Sequence, residues 1–172
     1  LLRPDAEPAS ALAEAAQVAE EIAQLPEVGT AASPVALVFD YESAWAWDVQ
    51  PQGADFDMFR LAFAAYRGLR RAGLSVDIIH PETADLSAYE LVLAPGLMTL
   101  SDPLRAALDT FDGIALIGPR TDTKTDELAI PTPLGPNLPN TDVSVVMAES
   151  LPPSDAINLQ NGGKFLHWFD HL

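Results

Sequence analysis

Cysteine is absent from the 172 residues of the chain. Its absence excludes disulfide bonds, thiolate metal sites and a cysteine nucleophile together. It is also consistent with a reducing compartment. Because no secretory signal is recognisable in the sequence either, we predict a cytoplasmic protein.

Positive charge is scarce as well. Nine Lys and Arg residues stand against 25 Asp and Glu residues, which gives a formal net charge of −16. A surface of that sign repels phosphate backbones and anionic lipids, so neither nucleic acid nor a membrane is a predicted partner. The apolar runs are also far shorter than the roughly 20 residues that a transmembrane helix needs.

The apolar pattern divides the chain into two parts. Apolar residues recur at helical spacing from residue 10 to residue 25, and Pro26 ends this helix. Residues 26–34 have the composition of a connector. We therefore predict a helical part over 1–26, with its helix at 10–25, and a separate domain over 27–172. Since the chain opens at Leu1 without a Met, we expect it to be part of a longer polypeptide.

Strand and helix patterns alternate through the second part. Buried or alternating apolar runs predict strands over 35–39, 75–79, 89–94 and 114–117. Helical spacing predicts helices over 55–71 and 101–113. This alternation indicates an α/β fold, with a doubly wound, mostly parallel sheet and helices on both faces. In such flavodoxin-like folds, the C-terminal ends of the strands form the functional edge.

The pattern changes after the fourth strand. Residues 118–140 carry five prolines and no periodicity, so we predict a long irregular segment, which is often functional or part of an interface. Beyond it, Val143, Val145 and Met147 alternate as in a strand. Residues 165–169 alternate in the same way and predict a terminal strand.

Aromatic and acidic side chains follow the first strand, namely Tyr41, Glu42, Trp45 and Trp47, and we predict that they lie on a loop. Aromatic faces stack on sugar rings and carboxylates accept hydrogen bonds from hydroxyls, so the loop could bind a sugar. The same aromatics could instead anchor the loop or a subunit contact. Asp40 and Glu42 invite comparison with the paired carboxylates of a glycosidase, but in so acidic a chain such a pair is commonplace.

The histidine and arginine residues give weaker indications of a binding site. His167 and His171 would point at one metal ion only from a helix, whereas the local alternation indicates a strand. We therefore predict no metal site and no cofactor. Arg120 follows the fourth strand, where Pro119 removes a backbone donor that a phosphate cradle would need. An anion site and a bidentate salt bridge, within or between subunits, both stay open for Arg120.

Five segments together resemble the middle domain of glycoside hydrolase family 42 β-galactosidases. They are residues 35–47, 50–53, 66–73, 91–95 and 118–121. The similarity runs over most of 34–151 and continues more weakly through 162–168. The helix at 10–25 is similar to the last helix of the catalytic barrel in that family.

The resemblance implies a non-catalytic domain, related in fold to class I glutamine amidotransferases, that holds its parent enzyme as a homotrimer. It implies that the two glutamates that hydrolyse β-galactosides lie on a barrel outside this chain. It also implies that Tyr41, Glu42, Trp45 and Trp47 contribute to the active site of a neighbouring subunit. An amidotransferase itself needs a cysteine at a strand-to-helix elbow. Residues 116–121 provide none, so that activity is excluded.

Two hypotheses of other classes stay open beside this one. The first is a stand-alone flavodoxin-like module that binds a sugar or an anion at the C-terminal ends of its strands. The second is an amidotransferase-like hydrolase that uses Ser or Asp in place of cysteine. Ser43 or Ser75 would need a nearby base, and the sequence offers no convincing one.

Overall fold

A computed structural model describes residues 2–27, 29–83, 85–138 and 141–172. The chain divides into two compact units, Leu1–Ala31 and Ala32–Leu172. Three predictions include residues outside the described ranges: the helical part begins at Leu1, the connector over 26–34 contains Val28, and the irregular segment over 118–140 ends at residues 139 and 140.

The first unit contains the predicted helix, α1 (Ala11–Ala23). None of its residues is buried, and its apolar side chains Val18 and Ile22 are exposed. The backbone N–H of Gln24 bonds back to Glu20 and closes the last turn before Pro26. The assignment of α1 to the end of a catalytic barrel stays a prediction.

The second unit is built on a parallel sheet of four strands. They are β1 (Val35–Val38), β2 (Val76–Ile79), β3 (Leu91–Ala94) and β4 (Ile114–Ile117), in the order β2-β1-β3-β4. All three strand pairs are parallel. All four residues of the central strand β1 are buried, as expected of a strand covered on both faces. The predicted α/β fold class is confirmed.

Helices connect the strands on opposite faces of this sheet. Helices α2 (Tyr41–Val49) and α3 (Met58–Arg71) lie between β1 and β2, and α4 (Asp102–Asp109) lies between β3 and β4. The two connections run in opposite directions across the sheet, so right-handed crossovers place them on opposite faces. The strand order reverses between β1 and β3, which is where α/β folds open a crevice.

Short sequence signals fix the helix ends. The N-cap of helix α3 is Asp57, whose carboxylate accepts a hydrogen bond from the Arg60 N–H at 3.0 Å, and Gly73 follows the helix with a φ of +85°. The N-cap of helix α4 is Ser101, whose Oγ accepts a hydrogen bond from the Leu104 N–H at 3.3 Å. Leu104 and Ala107 then pack into the core with residues of β1 and β3.

The predicted loop after β1 is wrong, because residues 41–49 form α2. Asp40 caps this helix, and its carboxylate accepts a hydrogen bond from the backbone N–H of Ser43. Apolar side chains lie on both the buried and the exposed sides of α2, so the sequence shows no apolar stripe at helical spacing. That stripe is the signal by which the other helices were predicted.

The C-terminal residues form two small antiparallel ladders. Strand β5 (Met147–Ser150) pairs with β8 (Trp168–His171), and β6 (Ile157–Asn158) pairs with β7 (Lys164–Phe165). The strand predicted from Val143 is wrong in position, since β5 begins only at Met147. The strand predicted over 165–169 is divided between β7 and β8. Across the described residues, no helix combines the length and apolar character needed to cross a membrane.

Candidate functional site

Four aromatic side chains of α2 and α3 are exposed to solvent. Tyr41 and Trp45 are 60% and 62% exposed, and Phe59 and Phe63 are 51% and 60% exposed. The Tyr41 ring centroid lies 6.3 Å from that of Trp45 and 6.0 Å from that of Phe59. Phe39 packs edge-on against Tyr41 at 5.6 Å. We call Tyr41, Trp45, Phe59 and Phe63 the aromatic surface.

Trp47 belongs to the interior. It is 2% exposed, and its indole Nε1–H donates a hydrogen bond to the Gly96 carbonyl at 2.8 Å. Its ring centroid lies 4.4 Å from that of Phe56 and 5.0 Å from that of Trp168. Two helical positions differ by about 200° of rotation, so Trp45 and Trp47 point in opposite directions. Trp47 therefore anchors α2 to the end of β3 and to β8.

A polar crevice of about 690 Å³ lies at the C-terminal ends of the strands. It is strongly acidic, since its only full positive charges among the described lining residues are Arg105 and Lys124. Its seven acidic lining residues are Asp40, Glu42, Glu82, Asp102, Asp122, Asp126 and Glu127. These groups accept hydrogen bonds from hydroxyls and repel anions.

Asp40 and Glu42 differ in their surroundings. Glu42 is exposed, whereas Asp40 is buried and serves as the N-cap of α2. The second oxygen of Asp40, Oδ2, and the hydroxyl of Ser43 are buried without a hydrogen-bond partner among the described residues. The structure thus gives Asp40 a clear role in starting a helix. It leaves one buried acceptor beside the crevice unpaired.

A bidentate salt bridge of the kind considered for Arg120 is formed by Arg105. Arg105 donates to both carboxylate oxygens of Asp122, at 2.9 and 2.7 Å, and the Asn137 N–H donates to the same carboxylate at 2.8 Å. Hydrogen bonding to Asp122 raises the pKa of Arg105. These contacts tie the irregular segment after β4 to α4. No local pattern could have found them, because 17 residues separate Arg105 from Asp122.

Arg120 makes a looser contact with Asp170 of β8. Its Nη1 is 4.0 Å from the Asp170 carboxylate, and its backbone N–H donates to that carboxylate at 3.3 Å. Both side chains are largely buried. Burial lowers the pKa of Arg120 and raises the pKa of Asp170. Each group is therefore shifted away from its charged form, as expected when an ion pair does not fully replace lost hydration.

His167 and His171 were predicted not to share a metal ion. Each of them pairs with a different carboxylate. His167 Nδ1 lies 3.0 Å from Asp55, and His171 Nε2 lies 3.3 Å from Glu149. The hydrogen bond from His167 lowers the pKa of Asp55. The part of the chain that the structure describes contains no group of three His, Cys, Asp or Glu residues placed to hold a metal ion.

An apolar groove of about 870 Å³ runs between α3, the end of β4 and the C-terminal segment. Leu61 and Ala64 of α3 line one side of it. Val143, Val145 and Phe165 line the other. The Arg120–Asp170 pair also contributes to its lining, so the groove combines an apolar surface with one buried ion pair.

In a comparison with known protein families, residues 33–172 match the family described as "Beta-galactosidase trimerisation domain". The β-galactosidase BgaA of Thermus sp is 44% identical over 155 residues, which cover 89% of this chain and 24% of that protein. The solved β-galactosidase of Halorubrum lacusprofundi matches with a TM-score of 0.73 at 35% identity, over 99% of this chain and 26% of that one. The solved β-galactosidase of the psychrophilic Marinomonas ef1 matches with a TM-score of 0.70 at 33% identity, over 99% of this chain and 28% of that one.

The similarity is confined to one part of these relatives. The chain spans about a quarter of the length of the curated relatives it matches.

Proposed function

Because the chain belongs to the family of β-galactosidase trimerisation domains, we propose that it is the non-catalytic oligomerisation domain of a larger enzyme that hydrolyses terminal β-D-galactosides. One observation carries the proposal: the family match spans residues 33–172, yet the chain corresponds to only about a quarter of each relative. The catalytic glutamates of a retaining glycosidase then belong to the rest of the parent polypeptide.

Two further parts of the proposal concern the setting of the domain. The helix α1 is the last helix of the parent's catalytic barrel, and the parent is cytoplasmic. The exposed apolar side chains of α1 support the first part, because such residues need a partner in the complete protein. The cytoplasmic location of the parent stays a prediction from composition.

The aromatic surface supports a role in association. Tyr, Trp and Phe are enriched where proteins meet, and four such rings are exposed together on α2 and α3. A single chain would gain free energy by burying them. The parent enzyme is then a homotrimer in which these domains contact neighbouring subunits.

The main proposal is tested by separating the domain from its parent. We expect the full-length protein to sediment at three times its chain mass and to hydrolyse a chromogenic β-galactoside. Purified residues 1–172 should show no hydrolysis above the buffer control. Cleavage by residues 1–172 at an ordinary enzymatic rate would contradict the proposal.

We also propose that Tyr41, Glu42 and Trp45 contribute to the active site of a neighbouring subunit. Exposed aromatic faces beside a carboxylate suit a sugar ring, and all three side chains are exposed. Trp47 contributes indirectly, since it is buried and holds α2 in place.

Kinetics of the full-length trimer test this contribution. Trp45→Ala should lower kcat/KM about tenfold, equivalent to about 1.4 kcal/mol, and Trp45→Phe should lower it less because it keeps an aromatic face. Val49→Ala is the matched control, since Val49 is exposed on the same helix. A Trp45→Ala enzyme that remains trimeric with an unchanged kcat/KM would refute the contribution.

A second candidate function is a sugar-binding module, and the polar crevice favours it. The unpaired buried Oδ2 of Asp40 and the acidic lining suit hydroxyl donors and disfavour anions. Calorimetric titration of residues 1–172 with galactose, lactose and phosphate distinguishes the two functions. Saturable galactose or lactose binding by the isolated chain would support the module, whereas heats equal to dilution would support the oligomerisation domain.

A further inference from the structure

Helix α3 concentrates positive charge in an acidic chain. It holds four of the nine basic residues of the sequence and no acidic residue. The four are Arg60, Arg67, Arg70 and Arg71, and all are exposed. The surrounding chain has a formal net charge of −16, so this helix opposes the average charge of the molecule.

These arginines have no acidic partner among the described residues. Within the described ranges, none of the four lies within 4.0 Å of a carboxylate, although the chain contains 25 Asp and Glu residues. Arg70 donates to the Leu74 carbonyl at 3.1 Å, and the Arg67 guanidinium lies 6.0 Å from the centre of the Phe63 ring. The positive charge is therefore directed outward.

Aromatic rings share this outward side of the helix. Phe59 and Phe63 belong to the aromatic surface, and Phe39 supports Phe59 with its ring centroid 5.2 Å away. Arginine and aromatic residues together are the composition of interface hot spots, where a buried ring and a planar cation contribute most of the binding energy. We call Phe59, Phe63, Arg67 and Arg71 the basic aromatic face.

We propose that the basic aromatic face docks on a carboxylate-rich surface of a second copy of the parent chain. This inference rests on the proposed oligomerisation function and identifies one side of the contact. A ring of three subunits closes through heterologous contacts, in which one surface of each copy meets a different surface of the next. The two sides can therefore carry opposite charge.

The proposed oligomerisation function and charge complementarity together favour another copy as the partner. The chain has far more carboxylates than its own cations can pair, and α3 supplies cations that form no ion pair with the described carboxylates. Opposed charge across the contact also fixes its orientation and speeds association.

The experiment measures trimer dissociation of the full-length enzyme by sedimentation at several protein concentrations. Arg67→Glu and Arg71→Glu should each raise the trimer dissociation constant at least about tenfold, because a like charge replaces a complementary one. Arg67→Lys should raise it less, since the positive charge remains. Lys164→Glu is the control: it makes the same change of charge at an exposed residue on β7, outside the face, and should leave the constant unchanged.

A second measurement needs no variant. Raising NaCl from about 0.05 to 0.5 M should weaken the wild-type trimer, because exposed charges are screened at that ionic strength. A wild-type protein that is monomeric would overturn the proposed function and this inference together. A trimer whose dissociation constant is unaffected by Arg67→Glu, Arg71→Glu and salt would overturn the inference alone.

Discussion

Asp40 lies between the first strand and the second helix. Its carboxylate caps α2 through the Ser43 N–H. We predict that Asp40→Ala lowers the free energy of unfolding by about 1–2 kcal/mol, because one backbone donor of the first turn loses its acceptor. Asp40→Asn keeps a hydrogen-bond acceptor and should therefore lower the free energy of unfolding by less. Urea unfolding of both variants measures the difference, and equal stability of Asp40→Ala and the wild type would show that the cap contributes nothing.

Asp170 gives a prediction about pH. Burial raises its pKa above the ordinary value of 3.8, so the folded state holds this proton more tightly than the unfolded state does. The unfolding free energy should therefore fall as pH rises from 3.8 through the raised pKa, and should not recover above it. Asp170→Asn removes this titration.

Chemical denaturation across that pH range compares the two proteins. The wild type should lose stability relative to Asp170→Asn as pH rises. A difference that stays constant, or that grows in favour of the wild type, would contradict the raised pKa.

The sequence identified Arg120 as a residue of interest but could not identify its partner. Asp170 lies 50 residues further on, and the contact exists only because β8 brings it to the end of β4. The Arg105–Asp122 pair was missed for the same reason. Long-range polar contacts depend on the tertiary arrangement, whereas a cap such as Ser101 is a local signal and could be predicted.

At the scale of the element, the sheet and the amphipathic helices were the predictable parts. The strands were predicted because their buried runs end at polar or turn residues, and α3 because its apolar face recurs at helical spacing. Helix α2 was missed because aromatic residues on its exposed side hide that spacing. The start of β5 was misplaced because its position depends on pairing with β8, which alternation cannot reveal.

The two tryptophans of α2 provide a matched pair for a stability prediction. Trp47→Ala should lower the free energy of unfolding by about 3–5 kcal/mol, because it removes a buried ring beside Phe56 and Trp168. Trp45→Ala should change it by no more than about 0.5 kcal/mol, because Trp45 is exposed. Urea unfolding of residues 1–172 measures both. Similar losses in the two variants would mean that α2 is not oriented as described.

At the scale of the whole molecule, the uneven distribution of charge connects stability with association. Acidic residues line the polar crevice at the C-terminal ends of the strands, while four exposed arginines gather on α3. A net charge of one sign opposes folding by self-repulsion and also keeps chains apart. A local surface of the opposite sign favours association, and the basic aromatic face is such a surface.

This distribution predicts how salt affects the isolated chain. For residues 1–172 at a concentration where they are monomeric, NaCl between about 0.02 and 0.5 M should raise the thermal midpoint, because it screens repulsion among the excess carboxylates. The same screening weakens few favourable ion pairs. The Arg–carboxylate pairs of the described residues are Arg3–Asp5, which is exposed, and Arg105–Asp122 and Arg120–Asp170, which are partly or largely buried and less screened.

A charge variant makes this prediction specific. Replacing Arg67 and Arg71 with Gln changes the formal net charge from −16 to −16 − 2 = −18 and removes no ion pair among the described residues. The double variant should therefore depend more steeply on salt than the wild type in a thermal melt followed by circular dichroism. A midpoint that falls with salt would mean that ion pairs outweigh repulsion. The same salt that stabilises the isolated chain should weaken the full-length trimer. In the isolated chain salt screens repulsion between carboxylates, whereas in the trimer it screens attraction between opposite charges across the contact.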